Sequence, residues 1–217
     1  LFFRQAFDVK GLDIVAVNDL GDAENLAYLL KYDTVYGRYD KKVEVKNGSL
    51  EISGKTIKFL EEKELAKLPW KDLKIDIVVE STGAFESYEK AKVHLAAGAK
   101  RVVITAPTKD LDSADGKMVL MGVNEDELKK TILSSNGSCT TNAASPVIQI
   151  MNETVGIKKA ILNTVHGYTA TQNLVDGFTK GEDLRRGRAA AQNIIPSTTG
   201  AAIAVTRAIK ELENKFD

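Results

Sequence analysis

Short runs of apolar and β-branched residues alternate with helical patterns along this 217-residue chain, and this alternation constrains the fold more than any other feature. The apolar runs lie at 13–18, 75–80, 101–106, 118–123 and 132–135. Apolar residues recur with helical spacing at 1–7, 22–30 and 87–97. Strands that are apolar almost throughout are usually covered by helices on both faces. The alternation therefore predicts an α/β fold built on a doubly wound parallel sheet.

One stretch departs from this alternation. Residues 42–45 and 50–52 flank the dipeptide Asn47-Gly48, which suits the tight turn of a β-hairpin. We therefore predict an antiparallel excursion inserted into the parallel sheet. Gly98 stands where the third helical pattern would end.

Charge and hydropathy exclude several classes of partner. The 30 basic and 30 acidic side chains give a formal net charge of zero, so no overall field attracts nucleic acid or a lipid surface. No apolar run approaches the ~20 residues of a membrane span. The opening lacks both an initiator methionine and the pattern of a signal peptide. We expect a cytoplasmic fragment of a longer protein that acts on a small molecule and binds neither nucleic acid nor membrane.

The single cysteine, Cys139, is the first candidate for chemistry. A lone thiol cannot form an internal disulfide, so it is either buried filler or a reagent. The small polar residues at 134–138 indicate a strand that ends and turns at an accessible site, where a thiolate can be stabilised. Because isolated cysteines are often inert, the structural alternative stays open.

The chain has two histidines, and they differ in surroundings. His166 follows the apolar stretch 160–162, which predicts a position at a strand end, and it is the better partner for lowering the thiol pKa and moving protons. His94 lies within a helical pattern beside Leu95 and Ala96, which favours a structural or solvent-facing role.

Candidate ligand groups follow two of the apolar runs. This is expected because an open α/β sheet binds its ligands at the carboxyl ends of its strands. Asp19 could accept hydrogen bonds from the adenosine ribose of a dinucleotide and would disfavour a ribose phosphate. The alternative is a turn or helix-cap aspartate. The run 78–83 ends in Ser81, Thr82 and Gly83, which permit close backbone approach to a ligand or simply form a turn. The glycine-rich phosphate loop of such a site is absent.

A basic cluster occurs near the end of the chain. Arg185, Arg186 and Arg188 precede the run 196–200, which leads into an alanine-rich helix from Ala201. Guanidinium groups, hydroxyls and the N–H groups of a helix start suit a phosphate. A solvated charge run and an ordinary helix cap are the alternative.

Together these motifs resemble the phosphorylating glyceraldehyde-3-phosphate dehydrogenase family. The matching segments are LLKYD at 29–33, VVESTG at 78–83, SCTTN at 138–142, HGYTATQ at 166–172, NIIP at 193–196 and GAA at 200–202. They occur in family order through nearly all of the chain. The resemblance implies a partial Rossmann-like NAD-binding domain at 1–138 and the start of an α+β catalytic domain at 139–217.

The resemblance also implies a glycolytic reaction. Cys139 would attack the aldehyde of D-glyceraldehyde 3-phosphate, with His166 as the base, and NAD would take the hydride to leave a thioester. Inorganic phosphate would then release 1,3-bisphosphoglycerate, so oxidation is coupled to acyl phosphate formation. The backbone N–H of Cys139 and the His166 side chain would steady the oxyanion.

The resemblance also implies binding residues at the positions that match the family's motifs. It implies no metal site. The cofactor positions are Asp19, Lys63, Thr82, Gly83 and Thr105. The substrate and phosphate positions are Ser138, Thr140, Thr169, Arg185, Thr199 and Gly200, and spacing does not exclude the adjacent Arg186 in place of Arg185. The resemblance further implies a homotetramer in which residues 168–187 include a loop that crosses toward a neighbouring subunit.

The chain departs from the family pattern in several places. EEKEL at 61–65 replaces a commoner arginine pattern around Lys63, and Ala143 stands where many relatives have a second cysteine. The first strand, the glycine-rich loop, and a later arginine and asparagine are missing, so we expect this polypeptide alone to be an inefficient enzyme. The alternatives are an erythrose-4-phosphate dehydrogenase, a cysteine acyltransferase or hydrolase, and a binding protein without chemistry.

Overall fold

The computed structural model describes residues 1–179 and 181–216. Its α-helices are α1 (Phe2–Ala6), α2 (Ala23–Lys31), α3 (Tyr88–Ala96), α4 (Cys139–Thr154) and α5 (Ala201–Ala208). Its strands are β1 (Ala16–Asn18), β2 (Tyr32–Asp33), β3 (Gly37–Arg38), β4 (Val43–Lys46), β5 (Ser49–Ile52), β6 (Lys55–Leu60), β7 (Ile77–Glu80), β8 (Arg101–Ile104), β9 (Gly116–Met118) and β10 (Leu133–Ser135). Short 3-10 helices lie at Leu65–Lys67, Glu125–Lys130, Leu184–Gly187 and Lys210–Leu212.

The chain divides into two compact units. The first comprises Leu1–Val79 and Glu89–Val102, and the second comprises Glu80–Tyr88 and Val103–Asp217. The domain boundary that the sequence predicts, between 138 and 139, stays a prediction.

The first unit holds a four-stranded sheet in the order β1-β6-β5-β4. β1 pairs with β6 in parallel, whereas β6, β5 and β4 are antiparallel neighbours. The predicted hairpin is confirmed at β4 and β5, because Asn47 and Gly48 both adopt positive φ, 49° and 71°, as a two-residue turn of this kind requires. β6 was not predicted, although its alternating pattern buries Ile57 between the exposed Thr56 and Lys58.

The core of the first unit lies between this sheet and α2. Asp22 caps α2 by accepting a hydrogen bond from the Asn25 N–H at 2.8 Å, which confirms the helix predicted at 22–30. The buried apolar side chains of this core are Ala27, Tyr39, Val43, Leu50, Ile52 and Ile57. Because β1 ends at the edge of this core, its last residues lead directly to the exposed Asp19.

His94 is a buried structural residue of the first unit. Its side chain is 2% exposed, and its Nδ1 accepts a hydrogen bond of 3.1 Å from the indole Nε1–H of Trp70, itself 6% exposed. The helix that carries His94 ends as predicted near Gly98, whose φ is 112°. A Cβ at Gly98 would lie 2.6 Å from the Lys71 nitrogen, so glycine alone fits there.

We predict that His94→Leu lowers the free energy of unfolding by about 1–3 kcal/mol, because the buried Trp70 N–H would lose its acceptor. Urea denaturation of the variant and the parent measures the difference. The double variant His94→Leu/Trp70→Phe removes donor and acceptor together, and we expect it to recover part of the loss. Equal stability of the parent and His94→Leu would contradict this role for the hydrogen bond.

A second sheet has the order β7-β8-β10-β9, and β9 pairs with β10 in parallel. The strand predicted at 118–123 is wrong in its bounds, because β9 begins at Gly116 and ends at Met118. The chain turns instead: the Asn124 side chain accepts from the Leu120 N–H and donates to the Met118 carbonyl. Gly122, with φ of 75°, lies within that turn.

In the second unit α4 and α5 pack around a common apolar cluster. Val205 of α5 is fully buried, and Ala144 and Ile148 of α4 pack against its cluster. Parallel strand pairing together with covering helices confirms the predicted Rossmann-like α/β fold. Among helices in the described ranges, none combines the length and apolar character needed to cross a membrane.

Candidate active site

Cys139 is the first residue of α4. The Ser138 side chain caps this helix by accepting a hydrogen bond from the Thr141 N–H at 3.0 Å, and the cysteine itself is exposed. The first N–H groups of a helix carry partial positive charge, which stabilises an anion beside them. Exposure at such a position is typical of a reactive thiol and not of a packed one.

His166 lies against this thiol. Its Nε2 is 3.2 Å from the Cys139 Sγ, and its Nδ1 is 2.7 Å from the Gly167 carbonyl oxygen. Because a carbonyl oxygen can only accept, Nδ1 carries a proton. In the neutral ring Nε2 is therefore the atom that can take the thiol proton.

The hydrogen bonds of this pair shift both pKa values. The bond to His166 lowers the pKa of the Cys139 thiol from its ordinary 9.0, and the Thr140 N–H and hydroxyl act in the same direction. The Gly167 carbonyl, followed by the Cys139 sulfur, raises the pKa of His166. Both shifts act in the direction of a thiolate facing an imidazolium.

The prediction that His166 follows a strand is wrong. Residues 161–169 form no helix or strand, and Ala160 makes only an isolated parallel bridge to Phe216. Hydrogen bonding at both ring nitrogens, to Cys139 and Gly167, orients the imidazole instead. A pattern of apolar residues cannot reveal such contacts, since they depend on groups that the fold brings together.

The turn before Cys139 is held by hydrogen bonds of the Ser135 and Asn142 side chains. Ser135 is fully buried, and its hydroxyl donates to the Ala106 carbonyl at 2.6 Å and accepts from the Gly137 N–H at 3.1 Å. The Asn142 side chain closes the turn by donating to the Asn136 carbonyl at 2.6 Å. Gly137 has φ of 69°, which favours glycine. The nucleophile is thus presented by a turn with few free torsions.

A second polar group surrounds Arg186. Its guanidinium donates to the Thr171 hydroxyl at 2.8 Å and to the Ser197 hydroxyl at 3.0 Å. The Thr171 hydroxyl is in turn 3.0 Å from that of Thr169. Arg186 therefore joins a predicted phosphate position, Thr169, to the hydroxylated run that precedes α5.

Arg185 points elsewhere. Its guanidinium forms a two-point pair with the Asp183 carboxylate, at 2.7 and 3.0 Å, and this pair lowers the pKa of Asp183. The geometry therefore favours Arg186 as the arginine that faces the Thr169 side, a choice that spacing left open.

The loop that carries these arginines folds back on itself. The Asn173 N–H donates to the Arg186 carbonyl, and the Gly177 N–H donates to the Gly187 carbonyl, each at 2.9 Å. A Cβ on Gly187 would collide with the Gly177 carbonyl oxygen, so this crossing of the backbone requires glycine. Lys180, within the predicted subunit-crossing loop, lies outside the described residues.

Thr199 and Gly200 form the start of α5. The Thr199 hydroxyl accepts a hydrogen bond from the Ala201 N–H at 3.1 Å, and Gly200 is the N-cap residue. Apart from Gly200 itself and the adjoining chain, no atom of the described residues lies within 4 Å of where a Gly200 Cβ would be. The predicted positions Ser138 and Thr140 likewise lie at the start of a helix, α4.

The candidate cofactor residues of the first unit meet through Asn18. Its side-chain amide donates to the Glu62 carbonyl at 3.0 Å and accepts from the Glu62 N–H at 2.9 Å. This reciprocal pair lies one residue before both Asp19 and Lys63 and brings their two segments together. The exposed Asp19 uses Oδ1 to accept from the Gly21 N–H at 2.8 Å, which leaves Oδ2 for a ligand. A carboxylate so placed fits the ribose hydroxyls of NAD.

The candidate cofactor residues of the second unit meet at Glu80. Its carboxyl oxygen accepts from the Thr82 N–H at 2.7 Å and from the Thr82 hydroxyl at 2.5 Å. Its backbone carbonyl accepts from the N–H and hydroxyl of Thr105 at 3.0 and 3.2 Å. Gly83 has φ of 71° and open space where a Cβ would lie, which allows a ligand to approach the backbone.

Sequence reasoning missed four polar residues that hold these groups. These residues are Asn18, Glu80, Thr171 and Ser197. Each either bonds a residue distant in the sequence or bonds a residue close to a predicted site position. Their proximity to predicted site residues was the only available signal. Across the described part of the chain, no cluster of three or more histidine, cysteine or acidic side chains could hold a metal ion.

Two models of known protein families match this chain. The sequence model described as "Glyceraldehyde 3-phosphate dehydrogenase, NAD binding domain" matches residues 1–88, and the one described as "Glyceraldehyde 3-phosphate dehydrogenase, C-terminal domain" matches residues 138–217. With the Rossmann-like fold, these matches define an NAD-dependent dehydrogenase. The chain belongs to the glyceraldehyde-3-phosphate dehydrogenase family.

Curated relatives match over the whole chain. A glyceraldehyde-3-phosphate dehydrogenase of Serratia odorifera is 49% identical over 217 residues, and one of Atlantibacter hermannii is 47% identical over 216. The chain covers 72% of each of these relatives. A Clostridium acetobutylicum protein of the same name is 45% identical over 218 residues, and the chain covers 64% of its length.

Proposed function

We propose that this protein oxidises D-glyceraldehyde 3-phosphate with NAD and inorganic phosphate to 1,3-bisphosphoglycerate and NADH, through a thioester on Cys139. The observation that carries the proposal is the 3.2 Å contact between the Cys139 sulfur and His166 Nε2, at an exposed helix start. Covalent catalysis of this kind splits one difficult step into two easier ones. Membership of the family supports this substrate and the use of phosphate.

The thiol–imidazole pair supplies the proton transfers. His166 Nε2 takes the thiol proton, and the sulfur attacks the aldehyde carbon, so that a C–S bond forms and the carbonyl π bond becomes an alkoxide. The Cys139 N–H and the imidazolium stabilise this oxygen, and the imidazolium protonates it to give a hemithioacetal. His166 then removes the hydroxyl proton as the carbon is oxidised to the thioester. Bound NAD supplies the hydride acceptor.

Phosphate completes the reaction. A phosphate oxygen attacks the thioester carbonyl carbon, the C–S bond breaks, and the Cys139 thiolate is regenerated beside His166. Arg186 and Thr169, linked through Thr171, are the groups we assign to binding a phosphate, because a guanidinium fork and hydroxyls match its oxygens. Ser138, Thr140, Thr199 and Gly200 complete the proposed substrate and phosphate positions at the starts of α4 and α5.

Replacing Arg186 tests which arginine binds phosphate. We predict that Arg186→Gln raises the KM for phosphate by roughly 10- to 100-fold, the loss expected for a charge-assisted hydrogen bond. Arg185→Gln is the matched control. The Arg185 guanidinium forms the two-point pair with Asp183, whereas Arg186 lies 3.8 Å from that carboxylate and bonds Thr171 and Ser197. Initial rates over a series of phosphate concentrations, with aldehyde and NAD saturating, give the KM for phosphate of each variant. A larger effect at Arg185 would assign the role to that residue, as the family resemblance implies.

The cofactor positions that the family resemblance implies are proposed to bind NAD, and each group is supported by contacts within its own unit. Asp19 would bind the adenosine ribose hydroxyls, with Lys63 nearby through the Asn18–Glu62 pair. Thr82, Gly83 and Thr105 would contact the cofactor in the second unit. We also assign an NAD-binding domain to 1–138 and a catalytic domain to 139–217, an assignment that the start of the second family match at 138 supports.

We further infer that the protein acts in the cytoplasm as a homotetramer. The loop within 168–187 leaves the apolar side chains of Leu174, Val175 and Phe178 exposed, which supports contact with another subunit. Family membership points the same way. Sedimentation velocity of the full-length protein tests the assembly, and a monomer at micromolar concentration would contradict it.

The function is tested by measuring NADH formation. The full-length protein is supplied with glyceraldehyde 3-phosphate and NAD, with and without inorganic phosphate, beside parallel reactions with erythrose 4-phosphate. We expect steady turnover with glyceraldehyde 3-phosphate only when phosphate is present. Turnover indifferent to phosphate would indicate a non-phosphorylating dehydrogenase, and acyl transfer without NADH formation would indicate a cysteine acyltransferase or hydrolase.

A further inference from the structure

We propose that Glu80 is a positioning residue for NAD binding and that it acts through Thr82. This inference rests on the proposed function, because Thr82 and Thr105 are proposed cofactor positions. Glu80 ends β7, its side chain is 4% exposed, and it bonds both threonines. One buried residue thus holds two segments of the proposed cofactor site.

The side chain of Glu80 fixes the positions of both the backbone N–H and the hydroxyl group of Thr82. Its Oε1 accepts from the Thr82 N–H at 2.7 Å and from the Thr82 hydroxyl at 2.5 Å. The Ala84 N–H donates to the same hydroxyl oxygen at 3.2 Å. The turn leading to Gly83, at φ of 71°, is therefore built around the Glu80 carboxyl group.

These bonds determine what Thr82 can offer a ligand. Because its hydroxyl proton is directed at Glu80, the hydroxyl oxygen can only accept from a bound group. Thr82 itself is exposed, whereas Glu80 is buried and does not reach the surface. Glu80 therefore affects the cofactor by fixing Thr82 and not by touching it.

The backbone carbonyl of Glu80 gives the second link. It accepts from the Thr105 N–H at 3.0 Å and from the Thr105 hydroxyl at 3.2 Å. A side-chain substitution at Glu80 leaves this carbonyl in place. The effect of such a substitution on NAD binding is therefore expected to pass through Thr82 and not through the backbone link to Thr105.

The test is a double-mutant cycle in NAD affinity, measured by isothermal titration calorimetry on the full-length protein. We expect Glu80→Ala to weaken NAD binding by about 10-fold, Thr82→Val to weaken it similarly, and the double variant to be no weaker than either. We expect Glu80→Gln, which keeps an acceptor oxygen, to recover most of the affinity. At saturating NAD, kcat should change far less than the KM for NAD.

Controls separate positioning from general damage to the fold. Ser87→Ala removes a partly buried hydrogen bond of the same segment, from Ser87 to Asp110, and is expected to lower the thermal midpoint without changing NAD affinity. Unchanged affinity in Glu80→Ala, or additive losses in the double variant, would overturn the inference alone. If Glu80→Ala does not fold, the cycle is run with Glu80→Met, which keeps a similar side-chain volume but offers Thr82 no oxygen acceptor. Absence of NAD binding by the parent protein would overturn the proposed function as well.

Discussion

Cys139→Ser is expected to lower NADH formation from glyceraldehyde 3-phosphate by at least about 1,000-fold, as for removal of other covalent nucleophiles. The serine hydroxyl has the same position at the start of α4, but it is not ionised near neutral pH and forms no thioester. Steady-state rates of the full-length parent and variant, at saturating aldehyde, NAD and phosphate, measure the loss.

The stability of this variant provides its control. Because Cys139 is exposed, the substitution should change the free energy of unfolding by no more than about 0.5 kcal/mol. A variant that is folded, binds NAD and is inactive would place the loss in the chemistry. A folded variant that keeps more than a few per cent of the rate would exclude the thioester mechanism.

His166→Asn is expected to lower the same rate by about 10²- to 10⁴-fold, the usual contribution of a positioned general base. Asparagine retains a hydrogen-bonding side chain near Cys139 but cannot accept a proton at neutral pH. The remaining activity should rise with pH, because the thiol must then ionise without the imidazole.

The pH dependence of thiol alkylation isolates the ionisation of Cys139. The hydrogen bond to His166 lowers the pKa of the thiol, so Cys139 in the parent ionises at a lower pH than an ordinary thiol with a pKa of 9.0. In His166→Asn the alkylation profile with iodoacetamide should move to higher pH. His94→Gln is the matched control, since that histidine bonds Trp70, and its profile should match the parent. Coincident profiles for parent and His166→Asn would contradict the assigned role of the imidazole.

Local sequence patterns predict those structural elements whose conformation is set by residues close together in the chain. Asn47-Gly48 predicts the hairpin, because two successive residues with positive φ are a property of those residue types. The apolar runs predict the Rossmann-like α/β class. The strand predicted at 118–123 was misplaced, because the Asn124 side chain supports a turn that apolar periodicity does not register.

The sequence by itself determined the fold class, the hairpin, and the residue types from which a thiol–imidazole and phosphate site can be built. Only the tertiary structure decided which of these residues are in contact. His166 reaches Cys139 from outside any strand, Arg186 bonds Thr171 whereas Arg185 pairs with Asp183, and Glu80 bonds Thr82 and Thr105. The physical reason is the separation along the chain over which each kind of interaction acts. Backbone torsions and apolar periodicity act over a few residues, whereas these hydrogen bonds depend on side-chain directions and segments that only the completed fold brings within bonding distance.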